Sequence, residues 1–155
     1  MEKASRKTIV LDTNVLIRTT FQKRSPVTLR IYQALVEQAC ILVTSLPILE
    51  EIRDVISRDY IIAYSHTTPE MRRRYMRELL DISMLTGGKA KLKKTSRDGK
   101  DNKFLVCASE AQADYLITSD EDLLTMKASE GTRMIPPHAF VDLLEKERLS
   151  LCGMW

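Results

Sequence analysis

Two short apolar runs, residues 8–11 (Thr-Ile-Val-Leu) and 115–118 (Tyr-Leu-Ile-Thr), each lead into an aspartate, Asp12 directly and Asp120 two residues later. Runs this short and this apolar read as strands buried on both faces. Residues 40–43 and 133–135 have the same character. The segments between them carry a helical period. Val27, Ile31, Leu35 and Ala39 recur at that spacing, and Ser45 opens a helix over 46–56 with Pro47 tolerated in its first turn. Thr68-Pro69-Glu70 opens another, running to about residue 85 and stopped by Gly87-Gly88. Further helices are expected over 98–113, briefly from Asp120, and from Pro137 to about residue 146. Strands alternating with helices predict an α/β chain with a central, mostly parallel sheet covered on both faces.

Composition removes competing classes. The 155 residues are 44% apolar and 29% charged, with five Gly, five Pro and three Cys, which does not suit a disordered chain, a collagen or a disulfide scaffold. The length suits one domain. No run approaches the roughly 18 apolar residues of a membrane helix. The basic N-terminus is followed by only a short apolar run before Asp12, too short for a secretory signal. The expectation is a cytoplasmic protein.

Cys40, Cys107 and Cys152 are far apart, and His66 and His138 stand alone, so zinc spacing and a Ser-His-Asp or Cys-His arrangement are absent. Cys40 and Cys107 read as small core residues. There is no Gly-rich dinucleotide or Walker loop. The tail from Leu149 to Trp155 is apolar, suiting packing on the domain or contact with a partner.

In open parallel sheets, ligands bind at the carboxyl ends of the strands. Asp12 and Asp120 both project toward that edge. Each also has a local explanation, because Asp caps helices and favours the positive end of the dipole. Two further acids change the balance. On the helix over 46–56, Glu50 lies roughly 160° from the centre of the apolar face and Glu51 roughly 100°, so Glu51 flanks the core. Asp101 points inward near a helix start, where it is either a site carboxylate or the N3 acid of a capping box begun by Asp98.

If Asp12, Glu51, Asp101 and Asp120 converge, each pair about 4 Å apart repels by roughly 4 kcal/mol at an effective dielectric of 20. Divalent metal is the natural remedy. Oxygen donors without His or Cys favour Mg²⁺ or Mn²⁺, one or two ions, and such clusters suit phosphoryl chemistry. Setting those four acids aside leaves 24 basic residues against 17 acidic, a balance that attracts phosphate backbones. Lys89 to Lys103 is the most basic stretch. Within it Lys93, Lys94, Arg97, Lys100 and Lys103 are the candidate nucleic-acid contacts, with a solvated loop as the plainer reading. Arg72, Arg73, Arg74 and Arg77 form an exposed helix face that could also touch nucleic acid.

Four boxes, TIVLDTNVLI, TSLPILEEI, RDGKDNKFLVCA and YLITSDEDLL, occur in an order and spacing that resemble the four acidic motifs of the PIN domain. The resemblance spans residues 8 to about 144. It is closest to stand-alone bacterial and archaeal PIN proteins, a group that includes toxin components of toxin-antitoxin pairs. It implies a three-layer α/β/α sandwich and a dimeric, metal-dependent endoribonuclease. It further implies hydrolysis of RNA phosphodiesters by metal-activated water to a 5′-phosphate and a 3′-hydroxyl.

By position, Asp12, Glu51, Asp101 and Asp120 match the motif acids; Glu51 rather than Glu50 falls six residues after Ser45. Asp122 and Asp98 match further acids as additional or supporting ligands. Asn14 matches a polar residue that orients Asp12 or water, and Ser119 or Thr118 could bond a ligand or phosphate. The Lys-rich stretch before Asp98 departs from the Pro-rich segment expected there. The alternatives are a catalytically weak PIN scaffold that binds nucleic acid or an antitoxin, and an aspartate-nucleophile phosphatase. The phosphatase fits poorly, because Asn14 stands where its second Asp belongs.

Overall fold

The computed structural model of the chain describes residues 6–21, 23–92, 95–96 and 99–152. Strand β1 (Lys7–Leu11) comes first, followed by helices α1 (Thr13–Thr20) and α2 (Pro26–Val36) and strand β2 (Cys40–Ser45). Helices α3 (Leu46–Ile56), α4 (Asp59–Ser65) and α5 (Pro69–Ile82) precede strand β3 (Ser83–Thr86). A single 3₁₀ turn (Gly99–Asp101) runs into α6 (Asn102–Ala111), then β4 (Tyr115–Ile117) and α7 (Glu121–Met126). Strands β5 (Ala128–Ser129) and β6 (Thr132–Ile135) and helix α8 (Pro137–Cys152) complete the described chain.

The six strands form one sheet in the order β3-β2-β1-β4-β6-β5, parallel except for β5 against β6. Successive strand residues point to opposite faces, and Ile9, Val10 and Leu11 are all almost wholly buried, so both faces of β1 are covered. Ile9 to Leu11 pair with Tyr115 to Ile117. The Asp12 amide extends that ladder by donating to the Ile117 carbonyl at 3.1 Å. The two acid-bearing strand ends therefore lie side by side at the carboxyl edge.

Several element limits depart from the sequence expectation. Helix α5 ends at Ile82 rather than near residue 85, because Ser83 turns extended (φ −115°, ψ 148°) and begins a strand paired with β2 from Leu42↔Ser83 to Ser45↔Thr86. Its apolar residues continue the helix pattern, yet Met84 and Leu85 are 61% and 51% exposed on an edge strand. Ser45 occupies the N-cap position of α3 but makes no capping bond, and its buried hydroxyl has no hydrogen-bond partner. Thr68 does cap α5, accepting from the Met71 amide at 3.1 Å. The alternative of a capping box begun by Asp98 falls on a residue outside the described ones. Asp101 itself holds the N-cap position, without a side-chain cap bond, and Gln112 ends the helix in the left-handed region (φ 48°). Helix α8 runs past residue 146.

Cys40 and Cys107 are free and buried, and burial pushes both thiols up to about 11. Among the described residues no helix is long and apolar enough to cross a membrane.

Candidate metal and phosphate site

The carboxyl ends of β1 and β4 open into a cleft of about 430 Å³ lined by Asp12, Thr13, Asn14, Glu51, Asp101, Ser119 and Asp120, with Arg58 and Tyr60 also on its wall. Asp12 caps α1. Its Oδ1 accepts from the Val15 amide at 2.8 Å, and its Oδ2 accepts from the Thr118 hydroxyl. That hydroxyl in turn accepts from the Asp120 amide at 2.9 Å. One buried threonine thus ties the first acid to the backbone of the fourth. Asp120 caps α7, its Oδ1 accepting from the Asp122 amide at 2.8 Å, which draws Asp122 toward the same place.

Glu51 reaches the cleft from α3 and is half-buried, while Glu50 is exposed, as the helical-face geometry requires. Its Oε2 accepts from Thr13 Oγ1 at 2.8 Å and from Lys103 Nζ at 2.7 Å. Lys103, expected among the nucleic-acid contacts, therefore places its ammonium on an acid of the cleft. Asp101 enters at the junction of the 3₁₀ turn and α6. Asn102, beside it, accepts from the Ser96 amide at 2.9 Å, anchoring the start of the helix. Asn14 and Ser119 are exposed on the cleft lining, whereas Thr118 is fully buried. Lys100 is exposed, and Asp98, Lys93, Lys94 and Arg97 lie outside the described residues.

Burial raises the Asp12 carboxyl above its usual range. Bonds from Thr118 and from the Val15 and Ser119 amides pull it back, and the Asp120 charge adds to the rise. Burial thus disfavours the charged form of Asp12, and its hydrogen bonds offset that only in part. Asp101, Asp120 and Asp122 each offer one carboxylate oxygen within 4.8 Å of the others, an arrangement able to hold a metal ion. Among the described residues no His or Cys lines the cleft. An all-oxygen donor set of this kind fits a hard divalent cation.

The sequence does not single out Thr13, Arg58 or Tyr60 as parts of this wall. For Thr13 a signal existed: it sits beside Asp12 at the first helical position, where a buried hydroxyl needs a partner. Lys103 is expected from sequence as a nucleic-acid contact, and its pairing with Glu51 is the part that reading does not foresee.

A search of curated proteins finds no match to the chain. The family model described as PIN domain matches residues 8–122, a stretch that contains β1 and every acid of the cleft. The chain belongs to the PIN domain family.

Proposed function

We propose that the protein is a Mg²⁺- or Mn²⁺-dependent endoribonuclease that hydrolyses RNA phosphodiesters to a 5′-phosphate and a 3′-hydroxyl. PIN domains are generally nucleases and typically use divalent ions. The observation that carries the reading is the close set of Asp101, Asp120 and Asp122 oxygens in a cleft shared with Asp12 and Glu51. Those three carboxylates would hold the ion, with Asp12 beside them. A bound Mg²⁺ or Mn²⁺ supplies the positive charge these acids need and Lewis acidity toward water and a phosphoryl oxygen.

The residues of the chain do the rest. Thr118 fixes the spacing of Asp12 and Asp120 through its one hydroxyl. Lys103 and Thr13 together hold the Glu51 carboxylate in one orientation. The Asn14 amide and Ser119 hydroxyl face the cleft as donors for phosphate oxygens. The toxin half of a toxin-antitoxin pair, an antitoxin protein as partner, and a homodimer are the finer parts of this proposal. Light scattering of the purified chain and co-purification with the product of an adjacent small gene test them.

A catalytically weak scaffold that binds nucleic acid or an antitoxin is the second reading. Its support is that Glu51 already carries a cation, Lys103. The deciding experiment is cleavage of mixed single-stranded and structured RNA by wild type and Asp12→Asn, with Mg²⁺, Mn²⁺ or EDTA. Cleavage by wild type with metal alone supports the nuclease. RNA binding that is indifferent to metal and yields no products supports the scaffold.

A further inference from the structure

A second concavity, about 520 Å³, lies between the end of α3 and the first half of α5. Its charge is opposite to that of the acidic cleft. Arg53 reaches it from α3, and Arg72, Arg73 and Arg77 reach it from α5, over an apolar floor that includes Ile56 and Met76. Arg73, Met76 and Arg77 share a helix face by their spacing, so like charges are held together although they repel. Among the described residues none of these four arginines makes a salt bridge. Arg72 is instead held by neutral acceptors, donating to the Thr67 carbonyl at 2.7 Å and its hydroxyl at 3.2 Å. That fixes the guanidinium while leaving its charge uncompensated.

The groove and the cleft are back to back. Val55, Arg58 and Tyr60 line the acidic cleft, while Ile56 and Ser57, between Val55 and Arg58 in sequence, line the arginine groove. The dividing wall is the last turn of α3 and the residues that follow it, a thickness of one helix diameter, roughly 10–12 Å with side chains. We propose that the α3/α5 groove is a nucleic-acid subsite that grips the phosphates of a single strand as it leaves the acidic cleft. This rests on the nuclease reading for its direction, though not for its chemistry. A nucleotide offers both partners the groove requires: a phosphate for the planar guanidinium fork, and a base face for the apolar floor and stacked arginine. An acidic peptide would match the charge alone.

The test is anisotropy of a labelled single-stranded RNA of about 15 nucleotides on the full-length protein in EDTA, from about 50 to 200 mM salt. The proteins compared are wild type, the double variant Arg73→Gln/Arg77→Gln, its Lys/Lys counterpart, and Arg74→Gln. Arg74 is exposed on the same helix but does not line the groove. Both groove substitutions are at exposed positions, and circular dichroism verifies the fold. The Gln pair should weaken binding roughly tenfold and flatten the log-log salt slope by about 1.4. The Lys pair should recover most of the slope but less of the affinity, and Arg74→Gln should have a small effect.

Unchanged affinity and slope in the Gln pair would overturn the proposal, as would an equal loss in Arg74→Gln. Arginine-dependent binding of a poly-glutamate peptide without arginine-dependent RNA binding would also overturn it, making the groove a protein site. Arginine-dependent RNA binding by a protein that never cuts RNA would retain the groove and remove the nuclease reading. RNA cutting whose binding step ignores the arginines would do the reverse.

Discussion

The acidic cleft and the arginine groove share one helix and hold like charges in opposite ways. In the cleft, Asp12 and Asp120 cap helices and are linked through Thr118, and Glu51 is tied to Thr13 and Lys103. On the groove side Arg53, Arg73 and Arg77 are exposed on long, rotatable stems, and only Arg72 is anchored. Buried like charges are costly, so the scaffold must fix them around a counter-ion. Exposed ones are screened and cost little. Fixed acids of this kind suit the small cation proposed for the cleft, and mobile arginines suit the flexible polyanion proposed for the groove.

That contrast breaks most sharply at Asp120. Asn caps a helix as well as Asp does, so Asp120→Asn should leave α7 formed while cutting metal-dependent RNA cleavage by about a hundredfold or more. Single-turnover assays with Mn²⁺ measure it. Lys103→Met comes next. Removing the resident cation leaves Glu51 uncompensated and makes the cleft more negative, so Mn²⁺ affinity by calorimetry should rise by roughly tenfold, about 1.4 kcal/mol. No change would mean that Glu51 does not sense the ion.

Asp12→Asn should raise the melting temperature of the metal-free protein at neutral pH. The native carboxyl holds its proton more tightly than an unfolded Asp at 3.8. Its ionisation therefore destabilises the fold as pH rises through the native value, and the penalty is absent below the unfolded one. The gain in the variant should be largest above the native value and close as pH falls toward 3.8, which a urea series against pH would reveal. The smallest effects concern the two helices of the groove. Thr68→Ala should cost about 1 kcal/mol by uncapping α5, whereas Ser45→Ala on α3 should stay within about 0.5 kcal/mol, since no cap bond is lost. Equal losses in denaturant melts would contradict this difference.

What the sequence made legible was set by local rules. The run before Asp12 alternates across a fully covered strand, so its apolar character alone identified β1. The choice of Glu51 over Glu50 followed from helix angle, and the structure buries the first more than the second. Strand β3 escaped notice because its identity depends on pairing with β2, and Met84 and Leu85 prolong the helical pattern that precedes them. β5 is two residues long and likewise exists only through its partner. The Lys103–Glu51 pair bridges α6 and α3, a meeting of distant segments that charge patterning along the chain does not encode. Thr118 looked like the end of a strand; its link to Asp12 emerges only once β1 and β4 are adjacent.

That last bond joins residues 106 positions apart. A chain synthesised from its N-terminus exposes Asp12 and Glu51 long before Asp101, Thr118 and Asp120 have been made, and β1 must wait for β4 as a neighbour. Until that later segment has been made, the first acid has neither its threonine nor the acids that share its cleft. The acidic cleft is therefore not a property of any early stretch of the chain; its charge is gathered in one place only once both of these distant segments have been made.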